Sequence, residues 1–208
     1  MKELTIPISA EDIRELHTGD TVALTGIMAT GRDAVHKWMI DTFIRKTHEP
    51  QGDDLEVYEK IKPIFKESLI YHCGPVVAGL DTGDYKFVAA GPTTSIREEP
   101  YQSEVMHHFD MRGVIGKGGM GTKTLQACQD VPAVYFHAIG GAATLIAKSV
   151  EEVIGVYKLD FGVPEAIWVL KVKEFPVVVT MDSHGKSIHA EVEEASLKKL
   201  KELIGTSK

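Results

Sequence analysis

The nine residues from Gly113 to Gly121 read Gly-Val-Ile-Gly-Lys-Gly-Gly-Met-Gly, and they leave the chain few folds to choose from. Val114 and Ile115 read as the end of a buried strand. Gly116, Gly118, Gly119 and Gly121 then surround Lys117 and Met120 in a turn, and a helical segment opens near Thr122. Glycine takes positive φ without steric penalty and lets another molecule approach the main chain. A glycine turn between strand and helix aims amide N–H groups outward, which suits an anion, and Lys117 adds a full positive charge. The same residues also suit a tight turn with a solvated lysine, so two readings stand on residue types alone. The lysine precedes the later glycines, so this is not the phosphate loop of nucleotide hydrolases.

The strand-to-helix junction recurs along the chain. Asp20 to Met28 is apolar and β-rich, and Thr30 to Lys37 then opens a helix whose Ala34, Val35, Trp38, Met39, Thr42 and Phe43 form an amphipathic stripe. Asp33 and Lys37 are spaced for an i,i+4 pair. Arg32 falls in the first helical turn, where the dipole disfavours a cation. An incoming anion would account for it, and so would simple solvation. Leu69 to His72 reads as a strand closed by Cys73-Gly74-Pro75, and Asp81 to Asp84 as a hairpin turn before a return strand from Tyr85 to Ala90. Gly91-Pro92-Thr93-Thr94-Ser95-Ile96-Arg97 follows. Its three hydroxyls and arginine suit a carboxylate or phosphate, and equally a helix N-cap. Pro132 to Ile139 is a strand that ends at Gly140-Gly141 and a small-residue helix. Further strands are expected over Val150 to Leu159, Glu165 to Lys173 and Val177 to Met181. A C-terminal helix within Ile188 to Ile204 is expected to turn Leu197, Leu200 and Ile204 inward. Thr47 to Asp54 is loop-like, with a short helix to Phe65 broken at Pro63. Strands alternating with helices, and hairpins among them, predict an α/β domain with a mixed sheet and flanking helices, a single domain over 1–208.

In α/β sheets ligands gather at the carboxyl ends of strands. If these junctions share one edge, Arg32, Arg97 and Lys117 converge with Thr93, Thr94 and Ser95, enough positive charge for a dicarboxylate. Asp33 is the one carboxylate in these motifs placed to act as a base. His36, His72 and His137 each sit in apolar surroundings and read as core or boundary residues rather than metal ligands. Cys73 and Cys128 are the only cysteines, too few for cluster ligation and unlike a disulfide framework. A net charge of -7 argues against nucleic-acid binding, and no segment reads as a signal peptide or membrane span, so a cytoplasmic location is expected.

Five stretches together resemble one family: Gly-Arg-Asp-Ala-Val-His-Lys (31–37), Tyr-His-Cys-Gly-Pro (71–75), Gly-Pro-Thr-Thr-Ser-Ile-Arg (91–97), Gly-Lys-Gly-Gly-Met (116–120) and Glu-Ala-Ile-Trp-Val (165–169). In that order, over about residues 3 to 190, the chain is similar to the β subunit of iron–sulfur hydro-lyases of the class I fumarase and L(+)-tartrate dehydratase type. The resemblance implies a swivelling β/β/α domain. It implies a separate α subunit, or an N-terminal half in one-chain relatives, that ligates a [4Fe-4S] cluster, with no metal ligand on this chain. Arg32, Arg97 and Lys117 would hold substrate carboxylates, with Thr94, Ser95 and the Gly118 and Gly119 turn beside them. Thr93 would move the proton with help from an aspartate of the partner, and Thr94 or Ser95 would be its fallback. The implied reaction is hydration of fumarate to L-malate, with dehydration of L-tartrate as the alternative. A homodimer or an assembly of two α and two β subunits is expected. A different class remains open: a module that binds a dicarboxylate without turnover. Lys117 is expected to be under-used in this chain alone. The segment from 47 to 62 is longer than usual, and the resemblance assigns it no role.

Overall fold

Period-2 alternation sorts each central strand between two apolar cores. In β3 (Leu69–Tyr71), Leu69 and Tyr71 join one core and Ile70 the other. β6 (Gly113–Gly116) divides Ile115 from Val114, and β7 (Val134–His137) divides Val134 and Phe136 from Tyr135. The computed structural model describes residues 1–205. β1 (Lys2–Ile6), β2 (Thr21–Thr30), β3, β6 and β7 pair in parallel, in that order. β9 (Ile167–Met181) runs antiparallel to β2, to β7 and to β8 (Val150–Tyr157). Because β9 pairs with both β2 and β7, the ring β2-β3-β6-β7-β9 closes on itself. Closure leaves no free edge within the ring itself, and β1 and β8 branch from it as the two edge strands.

The first core fills the ring and takes Ile13 of α1 (Ala10–Arg14) and Ile146 of α6 (Ala143–Ala147). The second lies between the ring and a helical layer. That layer comprises α2 (Asp33–Met39), which continues as a π-helical turn over Ile40–Ile44, and α3 (Asp54–Phe65). It also comprises α4 (Glu99–Phe109), entered through a 3-10 turn at Ser95–Glu98, and α5 (Thr122–Asp130). The hairpin β4 (Val76–Ala78) and β5 (Lys86–Ala89) forms a separate two-stranded sheet. The architecture is thus α/β with a mixed sheet and flanking helices.

Several local expectations change. The two strands expected around Pro176 are one strand, β9. The chain relieves the proline at an irregularity, where Glu174 takes φ 50 and its N–H donates to Thr25 Oγ1 at 3.0 Å. Pro63 does not break α3, because it falls in the last turn, two residues before the helix ends. Lys37 pairs with Asp41, not with Asp33, which is engaged by Arg97 instead. The C-terminal helix α7 (Ile188–Ile204) forms, but Leu197, Leu200 and Ile204 point outward, each about half exposed or more. The segment from 47 to 62 is fastened to the body. Asp54 accepts from Trp38 Nε1 at 2.8 Å and pairs with the buried Lys158 at 2.6 Å.

Candidate active site

The four parallel strands β2, β3, β6 and β7 all deliver their carboxyl ends to one edge. Gly31-Arg32 follows β2, His72-Cys73 follows β3, Lys117 follows β6 and Ala138 follows β7. The segment from 92 to 95 is laid into this edge as a further extended row. Thr93 N–H donates to His72 O at 2.7 Å, Lys117 N–H to Thr93 O at 3.1 Å, and Ser95 N–H to Lys117 O at 3.1 Å. Thr94 and Lys117 form a parallel bridge, and Cys73 and Pro92 an antiparallel one. The hydroxyl motif and the glycine–lysine motif are therefore joined through their main chains.

Each expected site residue has a distinct setting. Thr93 is half-buried, and its Oγ1 is shielded from water with no hydrogen-bond partner among the described residues. Thr94 is exposed. The Lys117 side chain lies over Gly140, where an added Cβ would stand 3.7 Å from Lys117 Cδ. Arg97 is exposed and ion-paired with Asp33. Arg32 is not in the first turn of α2; it is the N-cap, in extended conformation. Its guanidinium pairs with Glu165 at 3.2 Å and occupies the space that Gly74 leaves by lacking a Cβ. Glu165 also accepts from Ala34 N–H at 3.1 Å. The anion that Arg32 and the helix N-terminus call for is thus supplied within the chain.

The same substitution occurs at the glycine-rich turn. The N-terminus of α5 is capped by Glu99, whose carboxylate accepts from Gly121 N–H at 2.8 Å, Lys123 N–H at 3.0 Å and Thr124 Oγ1 at 2.6 Å. An added Cβ at Gly121 would stand 2.6 Å from Glu99 Oε1, so glycine is needed for that approach. Gly118 is exposed at φ 82. Gly119 is buried beneath the His189 ring. The cradle formed by backbone amides is therefore largely filled from within, and the cationic side chains are what remain for an outside anion.

Ser95 belongs to a buried polar chain. His36 Nδ1 donates to Arg32 O at 2.8 Å. The side-chain amide of Gln102 bridges His36 Nε2 at 2.8 Å and His72 Nε2 at 2.9 Å. His72 Nδ1 and the Tyr135 hydroxyl each stand 2.8 Å from Ser95 Oγ. Burial lowers the pKa of both imidazoles, so both rings are neutral at pH 7. Ser95 is fully buried, and an added Cβ at Gly116 would overlap its hydroxyl. Its visible work is to fasten Thr93 and Lys117 to the sheet rather than to meet a ligand.

Reading by motif passed over Glu98, Glu99 and Gln102, and it quoted Glu165 within 165–169 without giving it a role. Glu165 and Glu99 look like ordinary surface acids in sequence. Their signal was indirect: a cation at one helix start and a glycine run at another, each asking for an anion. Burial lifts the Cys73 and Cys128 thiols to about 12, and they lie in different cores. These residues do not fit a metal cluster.

A family model described as Fumarase C-terminus matches residues 2–192. The chain is 50% identical over 197 residues to "Putative fumarate hydratase class I" of Geobacillus stearothermophilus, covering 95% of this chain and 35% of that protein. It therefore spans about a third of that relative. It is 38% identical over 200 residues to "Putative L(+)-tartrate dehydratase subunit beta" of Methanocaldococcus jannaschii, covering 95% of this chain and 96% of that one. Against the L(+)-tartrate dehydratase subunit beta of Escherichia coli it is 37% identical over 192 residues, covering 91% and 87%. With its cationic, hydroxyl-bearing strand edge and a match that runs nearly end to end, the chain belongs to the Fumarase C-terminus family of hydro-lyases.

Proposed function

We propose that this chain is the β part of a hydro-lyase that reversibly hydrates fumarate to L-malate, in a site it shares with a cluster-bearing α subunit. The observation that carries the reading is Thr93 Oγ1, shielded and unpartnered, on the same main-chain row as Lys117 and beside Arg97. Arg97 and Lys117 hold the two carboxylates of a C4 dicarboxylate, Arg97 as a planar fork and Lys117 as a point charge. Arg32 is already paired with Glu165 and is left to anchor the edge rather than to bind the acid directly. Thr93 delivers the proton to the substrate's C3 during hydration and removes it in the reverse direction. Among the described residues no base is bonded to Thr93, which is why a partner carboxylate is needed to lower the cost of its ionisation. The [4Fe-4S] cluster, held by the partner, would supply Lewis-acid chemistry toward the substrate hydroxyl.

The 50% identity to a protein named for fumarate favours that acid over tartrate. L-tartrate dehydration is the second reading, favoured by the near end-to-end match to separate β subunits. Anaerobic reconstitution with the α subunit, assayed on both acids side by side, tests both. Turnover of fumarate well above tartrate is expected. The reverse ratio selects the second reading, and no turnover of either acid reduces the chain to a dicarboxylate-binding module.

A further inference from the structure

Asp33 opens α2, and Glu98 ends the 3-10 turn that carries Arg97. Glu98 is 1% exposed. Its Oε2 and Asp33 Oδ1 are both buried, and no donor among the described residues satisfies either. Asp33 lies close enough to oppose the ionisation of Glu98. Ionised carboxylates only accept, so two donorless oxygens buried near one another are relieved by a proton on one of the two groups. The other Asp33 oxygen takes Arg97.

The surroundings decide where the proton sits. His72 Nδ1, from the end of β3, is 4.0 Å from Glu98 Oε2, but its ring is neutral. His36 of α2 is also neutral, and burial raises the Tyr135 phenol on β7. Arg32 and Arg97 favour the ionised form of Asp33, whose pKa is lowered although burial opposes it. Burial first, and Asp33 second, push Glu98 up to about 8. Glu98 therefore carries the proton at neutral pH.

Resting on the proposed function, we infer that Glu98 is a positioning residue for substrate. It holds a proton against Asp33, so the pair presents one negative charge to Arg97 and leaves the guanidinium able to bind a substrate carboxylate. A second ionisation would leave the cluster of Asp33, Glu98 and Arg97 net negative and repel the incoming acid.

The test has two arms. In the first, the carboxyl carbon of Glu98 is followed by NMR as the intact chain is titrated. A midpoint near 8 is expected, absent in Glu98→Gln. In the second, KM for fumarate is measured against pH in the reconstituted complex. Wild type should show KM rising roughly tenfold between pH 7 and 9.5, with kcat changing little. Glu98→Gln keeps a donor toward Asp33 without titrating, so its KM should stay level. Glu98→Ala should have a raised KM throughout, which Gln restores. An ordinary Glu98 midpoint overturns the inference whatever the activity. So does an alkaline rise in KM that survives in Glu98→Gln. A raised midpoint with no turnover of either acid would sink the proposed function and the positioning role with it, leaving only the shared proton.

Discussion

Thr93 and Ser95 carry the same functional group two residues apart, and their surroundings give them opposite tasks. Thr93 Oγ1 has no partner to lose. Thr93→Val should therefore leave unfolding by denaturant within about 0.5 kcal/mol of wild type while abolishing turnover in the complex. Ser95 Oγ answers both His72 and Tyr135. Ser95→Ala should cost roughly 1–3 kcal/mol, the toll of leaving buried polar groups unpaired, read in the same denaturation experiment. An unstable Thr93 variant beside a stable Ser95 variant would reverse the assignment. The hydroxyl cluster itself was legible in the sequence, because Thr-Thr-Ser before an arginine is an uncommon density of donors. The division of labour was not. It depends on which hydroxyls meet His72 from another strand, and local order carries no trace of a partner 23 residues away.

At the scale of elements, periodicity places α2 and the glycine turn places α5, while the sequence leaves open whether their N-termini meet an outside anion. Each is closed by an acid distant in sequence, Glu165 across 131 residues and Glu99 across 22. An orphan N–H must find an acceptor somewhere, but the sequence does not say whether ligand or chain provides it. The C-terminal helix shows the complementary gap. Apolar residues at spacings of three and four identify an amphipathic α7. They do not say whether a surface stands opposite, and in this chain Leu197, Leu200 and Ile204 face outward. From Ala190 to Ile204 every residue is exposed. A chain ending after Ala190 keeps the His189 contact with Gly119, so it should lose less than about 1 kcal/mol in urea denaturation. A loss of several kcal/mol would mean that α7 packs against the body after all.

Across the whole molecule, β9 is the strand that makes the ring. It pairs with β2, β7 and β8, and its side chains reach both cores. Its amides should exchange hydrogen only through global unfolding, whereas those of the β4–β5 hairpin and α7 should exchange through local opening at far lower protection. Rapid exchange along β9 would contradict the closed ring. The α/β class and mixed sheet were legible, because strand and helix periods alternate cleanly. Closure was not, because Pro176 divided β9 into two apparent strands and hid how far one strand reaches. The row from 92 to 95 has a further consequence for how such a site can change. It is stitched between β3 and β6 by main-chain bonds at Thr93, Ser95 and Lys117. Side chains in an extended row alternate, so a single added residue would turn Thr94 inward and Thr93 outward. The chemistry at this edge can therefore be rewritten by exchanging one side chain for another, while any change of length in the row scrambles it at once.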